Sequence, residues 1–346
     1  MDERSILIEE YLLKDGSMKD WLHLFLSFVT LVTFSACTGV NSQTSTPLPI
    51  PRGPEIYGVF QANTPCSAQA RPLPQIPADA DCNQMKWDLV LFQDPATGTP
   101  TTYRLNSSYG LSKQGTNDLI DRGTPIAMKG KWTITTGTKT DPEATVYQLN
   151  MNDNQTFVSF LKVSDDLIHV LSSEKTLLVG NGAWSYTLDR MDNQSPTQNI
   201  DQSRPDPPTR PPAPAIPIGS SVFGVFDGRT PCDEVVLEFT NTESFPGCLK
   251  IKWRLTLYQD SATGEPSRYL FMGTSHFREG SWKIINGMNG DPDAVVYQLQ
   301  PDDAHDSFSF LKVDENNLYM LDKAMHFLVG NELFSYTLSR FDPGIQ

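Results

Sequence analysis

Two stretches decide the fold: KWDLVLFQDPATG at 86–98 and KWRLTLYQDSATG at 252–264. In the second, Trp253, Leu255 and Leu257 fall on one side of an extended chain, and Arg254 and Thr256 on the other. Trp87, Leu89 and Leu91 alternate in the same way in the first. Period 2 with aromatic and aliphatic residues predicts a half-buried β-strand. The DPATGTP and DSATGEP segments that follow carry turn chemistry and predict a hairpin onto strands around Tyr103 and Tyr269.

The pair is part of a longer repeat. IYGVF (56–60) matches VFGVF (222–226), Cys66 matches Cys232, and Cys82 matches Cys248, all 166 residues apart. Further on, GKWTI (130–134) matches GSWKI (280–284), DPEATVYQL (141–149) matches DPDAVVYQL (291–299), and LVGNGAWSYTLDR (178–190) matches LVGNELFSYTLSR (328–340). These later matches are 150 apart, so the first copy carries 16 extra residues between Tyr103 and Gly130. A fixed period of this kind predicts one structural unit used twice. Each copy reads as eight or nine short strands, with a tight turn at VGN before a last strand WSYTL or FSYTL. No stretch of either copy has the length and period of a core helix. Sequential short strands favour an antiparallel up-and-down barrel, because closure removes exposed edges. The expected fold is all-β, with two tandem small antiparallel up-and-down barrels.

The chain divides accordingly. Residues 55–191 form repeat 1 and 220–342 form repeat 2. The proline-rich segment 192–219 reads as a semi-extended linker. Residues 37–54 are a Ser/Thr/Pro tether. Ahead of it, Trp21 to Phe34 is an apolar run of 14 residues, too short for a comfortable membrane span and the length of a secretory signal core. It ends in TFSAC, which resembles the bacterial lipobox. That resemblance implies that 18–36 is a signal peptide and that Cys37 carries the lipid. Phe34 stands where the motif more often has Leu. Residues 1–17 hold five acids and two bases, unlike an export signal, and read as an over-extended start.

The net charge is −14, and without residues 1–36 (three bases, six acids) it is −11. An acidic surface repels phosphate, so no nucleic-acid partner is expected.

Five cysteines leave one unpaired. Cys66 and Cys82 share the spacing of Cys232 and Cys248 at the same place in each copy, and an exported chain meets oxidising conditions. Disulfides Cys66–Cys82 and Cys232–Cys248 are therefore expected, leaving Cys37 for the lipid. Thiolate-metal binding is the alternative, and two cysteines without a nearby histidine make a poor zinc site. The apolar residues of the second loop, 233–247, suggest that it packs on its barrel.

The order YGVF…TPC, a Trp-led strand, GxW, VYQL, LYMLD and FSYTL resembles the N-terminal domain of the NlpE-type copper-resistance lipoproteins. The resemblance covers roughly 56–190 and 222–340. It implies a small lipocalin-like barrel, a lipid-anchored envelope protein, and ties to copper tolerance and envelope stress. The family's close Cys-x-x-Cys is absent here: Gln69 and Val235 stand three residues after Cys66 and Cys232.

Candidate ligands for soft copper are Met320, Met325 and His326. Their counterparts Val170, Lys175 and Thr176 show that this group is not shared by the two copies. Met272 with His276, and the acidic turn QPDDAHDS around His305, are further candidates. His169, His276, His305 and His326 have no counterpart histidines in the other copy, and no nucleophile–base set, phosphate loop or H-E-x-x-H occurs. No enzyme activity and no resident cofactor are expected. The function expected is that of an extracytoplasmic, membrane-anchored, non-catalytic lipoprotein acting in sensing or interaction with an envelope protein. A carrier of copper or a small lipophilic ligand is the first alternative, and a surface spacer the second.

Overall fold

The computed structural model describes residues 49–67, 70–151, 156–194, 215–232, 248–273, 277–288, 290–303 and 306–341. Cys37, the signal and most of the tether, residues 195–214 of the linker, the loop 233–247, His276 and His305 lie outside them.

Each copy is a closed eight-stranded antiparallel barrel. The first runs β1 (Ile56–Pro65), β2 (Gln84–Gln93), β3 (Pro100–Gly110), β4 (Thr124–Thr136), β5 (Thr145–Met151), β6 (Thr156–Lys162), β7 (Leu167–Val170) and β8 (Thr187–Arg190). The second runs β9 (Ser220–Pro231), β10 (Lys250–Asp260), β11 (Pro266–Met272), β12 (Phe277–Met288), β13 (Asp291–Pro301), β14 (Phe308–Lys312), β15 (Asn317–Leu321) and β16 (Thr337–Arg340). Every strand pairs with its sequence neighbour, and β8 and β16 return to β1 and β9. The only helical element among the described residues is one 3-10 turn, Ile120–Arg122.

The alternation in the opening stretches sets the inside of the barrels. Trp87, Leu89 and Leu91 join Phe60, Tyr103, Leu105, Tyr147 and Phe160 in one buried cluster; Trp253, Leu255 and Leu257 do the same with Tyr269, Phe271 and Phe310. Indole N–H groups need partners when buried. Both copies supply the same ones: Trp87 donates to Thr64 Oγ1 and Trp253 to Thr230 Oγ1, each at 2.9 Å, while Trp132 donates to the Phe92 carbonyl and Trp282 to that of Tyr258. Edge-on and tilted aromatic contacts among Tyr57, Trp132 and Tyr147, repeated by Phe223, Trp282 and Tyr297, pack one part of each interior. Not every alternate residue faces water. Val90 is fully buried outside the barrel, under Ile56, Val59 and Met191.

The predicted β2–β3 and β10–β11 turns are organised by aspartates. Asp94 Oδ1 accepts from Ala96 and Thr97 N–H, and Asp260 Oδ1 from Ala262 and Thr263. These backbone donors hold both carboxyls below the usual carboxylate range. The 16 extra residues of the first copy lengthen the β3–β4 hairpin. Its ladder extends to Tyr109↔Thr124, whereas β11–β12 stops at Met272↔Phe277.

Glycine in the repeated GxW motif has a steric cause. A Cβ on Gly280 would lie 2.0 Å from the Gln300 carbonyl oxygen on β13, and one on Gly130 2.6 Å from that of Asn150 on β5. Gly280→Ala is expected to cost about 2–3 kcal/mol by forcing β12 off β13. Ser281→Ala, at the exposed neighbouring position, should stay within about 0.5 kcal/mol. Equal urea midpoints for the two variants would contradict this account.

Candidate functional site: the seam between the barrels

The two barrels meet through the strands that close them. The closing ladders are short: Phe60↔Arg190 and Gln61↔Asp189 in the first barrel, Ser339↔Asp227 and Arg340↔Phe226 in the second. The sequence pattern placed the last strands at WSYTL and FSYTL, but they begin only at Thr187 and Thr337. The preceding residues are engaged differently. Asn181 Oδ1 accepts from Ala183 and Trp184 N–H, and Asn331 Oδ1 from Leu333 and Phe334, which curls the chain at VGN. Ser185 Oγ then takes the Thr187 N–H that would have extended the ladder.

The freed residues make the contact between barrels. Ser185 and Ser335 are hydrogen-bonded at 2.6 Å, Thr187 and Thr337 at 2.9 Å, and His169 Nδ1 and Tyr319 Oη at 2.6 Å. In each pair the partners are equivalent positions of the two copies, 150 residues apart. Off these pairs the contacts are reciprocal. Gly330 N–H donates to Asp189 Oδ1 at 2.5 Å, and Gly180 N–H donates to Ser339 Oγ at 3.1 Å; Ser339 is the counterpart of Asp189 and Gly180 that of Gly330. Equivalent residues meeting each other, with reciprocal contacts around them, define an approximate two-fold axis between the barrels.

The polar groups at this axis form a chain with one direction. His169 Nε2 lies 2.8 Å from the Leu178 carbonyl, which only accepts, so Nε2 carries the proton and Nδ1 is the acceptor. Tyr319 O–H therefore donates to Nδ1, Thr187 O–H to Tyr319 Oη at 3.1 Å with Nδ1 itself 3.2 Å from the same hydroxyl, and Thr337 O–H to Thr187. Burial lowers His169 to about 4, against the Leu178 bond and distant Asp314, which favour the cation. Burial also pushes Tyr319 up. Asp189 is held well above the usual carboxylate range by burial, with the Gly330 N–H opposing. Its Oδ2 is buried without a hydrogen-bond partner.

Around the axis, Arg229 lies over the Trp184 ring, and Gln194 Nε2 donates to the Gly330 carbonyl. Lys250 reaches Asn117 Oδ1 in the segment unique to the first copy, so that segment also joins the two barrels.

The residues singled out in the sequence fall elsewhere. Cys66–Cys82 and Cys232–Cys248 are disulfides. They indicate an oxidising, extracytoplasmic setting. Each joins the end of a first strand to the start of a second. The first loop packs on its barrel: Leu73 and Ile76 are in the core, and Arg71 donates to the Ala78 and Ala80 carbonyls. The second loop, for which packing was expected, lies outside the described residues. Met320 is fully buried in the core of the second barrel, whereas His326 is exposed and its Nδ1 lies 3.3 Å from Asp322 Oδ2. Met325 occupies a left-handed turn position, as does Lys175 in the first copy. Among the described residues no group of three or more His, Cys, Asp or Glu is arranged to hold a metal ion.

Sequence reasoning passed over His169, Asp189 and Tyr319. The available signal was substitution at otherwise matching positions: His169 against Tyr319 and Asp189 against Ser339.

The fold and seam define the class: a tandem pair of disulfide-bonded, eight-stranded antiparallel barrels. No family model, no curated protein and no solved structure matches the chain.

Proposed function

We propose that the protein is a non-catalytic lipoprotein of the bacterial cell envelope, held at a membrane by lipid on Cys37 and displaying its paired barrels to an envelope protein partner. The observation that carries this reading is the combination of two disulfide-clamped barrels with a lipobox-like TFSAC ahead of a Ser/Thr/Pro segment. The sequence resemblance to NlpE-type lipoproteins supports a role in sensing envelope stress, with copper as the associated metal. Interiors filled by large side chains favour a surface that binds partners over a barrel that carries a small ligand.

Two acyl signals make membrane binding stable, whereas a single chain gives only marginal attachment. Cys37→Ala is therefore expected to move the protein from the membrane pellet to the soluble extracytoplasmic fraction. If the variant still pellets after a carbonate wash, the apolar segment itself is the anchor and the lipoprotein reading fails. Native mass spectrometry of the released protein should show the mass of the chain with two disulfides; a stoichiometric metal or lipid adduct would favour the carrier instead.

A further inference from the structure

The seam is an interaction surface with a built-in choice of partner. We propose that the seam faces of the first and second barrels are docking surfaces for each other, and that His169, whose acceptor takes the Tyr319 O–H, disfavours the pairing of one first barrel with another.

The docking rests on the like pairs. Ser185 meets Ser335 and Thr187 meets Thr337, so two copies of either barrel would reproduce these contacts across a true two-fold axis. The pair beside them is unlike, and its chemistry has a polarity. His169 spends its one proton on the Leu178 carbonyl and offers a lone pair at Nδ1, which Tyr319 fills with its O–H.

Two first barrels would bring Nδ1 against Nδ1, two acceptors with no proton between them in a site where both rings are fully buried; the donor left to each is the O–H of its own Thr187 at 3.2 Å, in place of the Tyr319 O–H at 2.6 Å. Supplying the proton would place a cation there, which burial opposes. Each Asp189 would also face the backbone N–H of Gly180 in place of Gly330, burying two carboxyls rather than one. The like pairing of first barrels is disfavoured on both counts, and the unlike pairing satisfies every donor in the chain from Thr337 to Leu178.

The test uses the whole chain. A specific protease site is inserted between Gln202 and Arg210, the protein is folded and oxidised, and the linker is then cut. Native mass spectrometry and a dilution series measure how tightly the halves remain together. Cut wild-type protein is expected to stay a one-to-one pair at micromolar concentration, with no dimer of the first barrel.

Tyr319→His places two Nδ1 acceptors at the axis and should weaken the pair tenfold to a hundredfold. Adding His169→Tyr reverses the polarity of the bond, because the Leu328 segment repeats the Leu178 segment: Leu328 N–H donates to Met320 as Leu178 N–H does to Val170. The double exchange should recover most of the lost affinity. If Tyr319→His does not fold, Tyr319→Phe removes only the donating hydroxyl and should weaken the pair about tenfold. Near-UV circular dichroism of each half confirms that the barrels remain folded. The proposal is overturned if cut wild-type halves separate, if first barrels pair with one another as readily, if loss of the hydroxyl leaves affinity unchanged, or if the double exchange is no tighter than Tyr319→His.

Discussion

Asp189→Ser is expected to stabilise the protein at neutral pH by about 2 kcal/mol, and the gain should shrink as the pH falls to about 4. Asp189 is 1% exposed, and its Oδ2 has no hydrogen-bond partner. A buried polar atom left unsatisfied costs about 1–3 kcal/mol. Its carboxyl is raised above the ordinary 3.8 by burial. A raised carboxyl contributes its stability below the unfolded value, and that contribution is lost as the pH climbs through the folded value. At neutral pH Asp189 is therefore a liability, and near pH 4 a smaller one. Serine preserves the useful contact, since Ser339 already accepts the Gly180 N–H in the equivalent place.

His169 has the opposite sign. Its value falls from 6.5 to about 4 on burial, so its contribution is complete above about 6.5 and declines as the pH drops toward 4. Between those limits the two groups offset each other in the native chain, and removing Asp189 exposes the histidine slope. Urea midpoints at pH 4, 5, 6 and 7 for both proteins provide the measurement. A gain of constant size across that range would show that Asp189 titrates normally in the folded state.

Replacing both Cys66 and Cys82 by serine is expected to lower the stability of the first barrel by about 3 kcal/mol, within a range of about 2–5. The bridge closes a loop between residues 16 apart. In the chain-entropy model a loop of about 15 residues accounts for roughly 3 kcal/mol. The structure adds a packing term, because Cys66 is fully buried and the loop places Leu73 and Ile76 in the core. The Tyr186 hydroxyl, donating to the Ala70 carbonyl, ties the same loop to the residue next to β8. Loosening it therefore reaches the seam. The variant should show an earlier unfolding transition and also weaker pairing of the halves after linker cleavage. A single transition at the wild-type midpoint would refute the structural role given to the bridge.

The strands were legible because their information is local. Alternation in KWDLVLFQD and KWRLTLYQD records which side chains face a core, and that survives in any context where one face is buried. The change of offset from 166 to 150 marked the inserted segment, and β3 and β4 are where it lengthens the sheet. Equal cysteine spacing in two copies pointed to the two bridges that the structure contains. The last strands were read too long because Ser185 and Tyr186, like Ser335 and Tyr336, continue the alternation; in the first copy the backbone donor needed to extend the closing ladder is taken by the Ser185 side chain.

The seam was not legible, and the reason is geometric. Ser185, Thr187, Ser335 and Thr337 look like ordinary polar positions near the end of a strand. They become an interface only when a two-fold relation brings each against its own counterpart. His169 counted against a site in the sequence because the other copy lacks a histidine there. A donor–acceptor pair across an axis needs different groups on its two sides, so the difference between copies was the signal. The sequence alone determined two all-β units, the offset between their repeats and their cysteine spacing, through periodicity and short-range chemistry. Tertiary structure alone decided that the barrels close short and meet face to face, with His169 and Asp189 out of water, because burial and partner identity there depend on residues about 150 positions away.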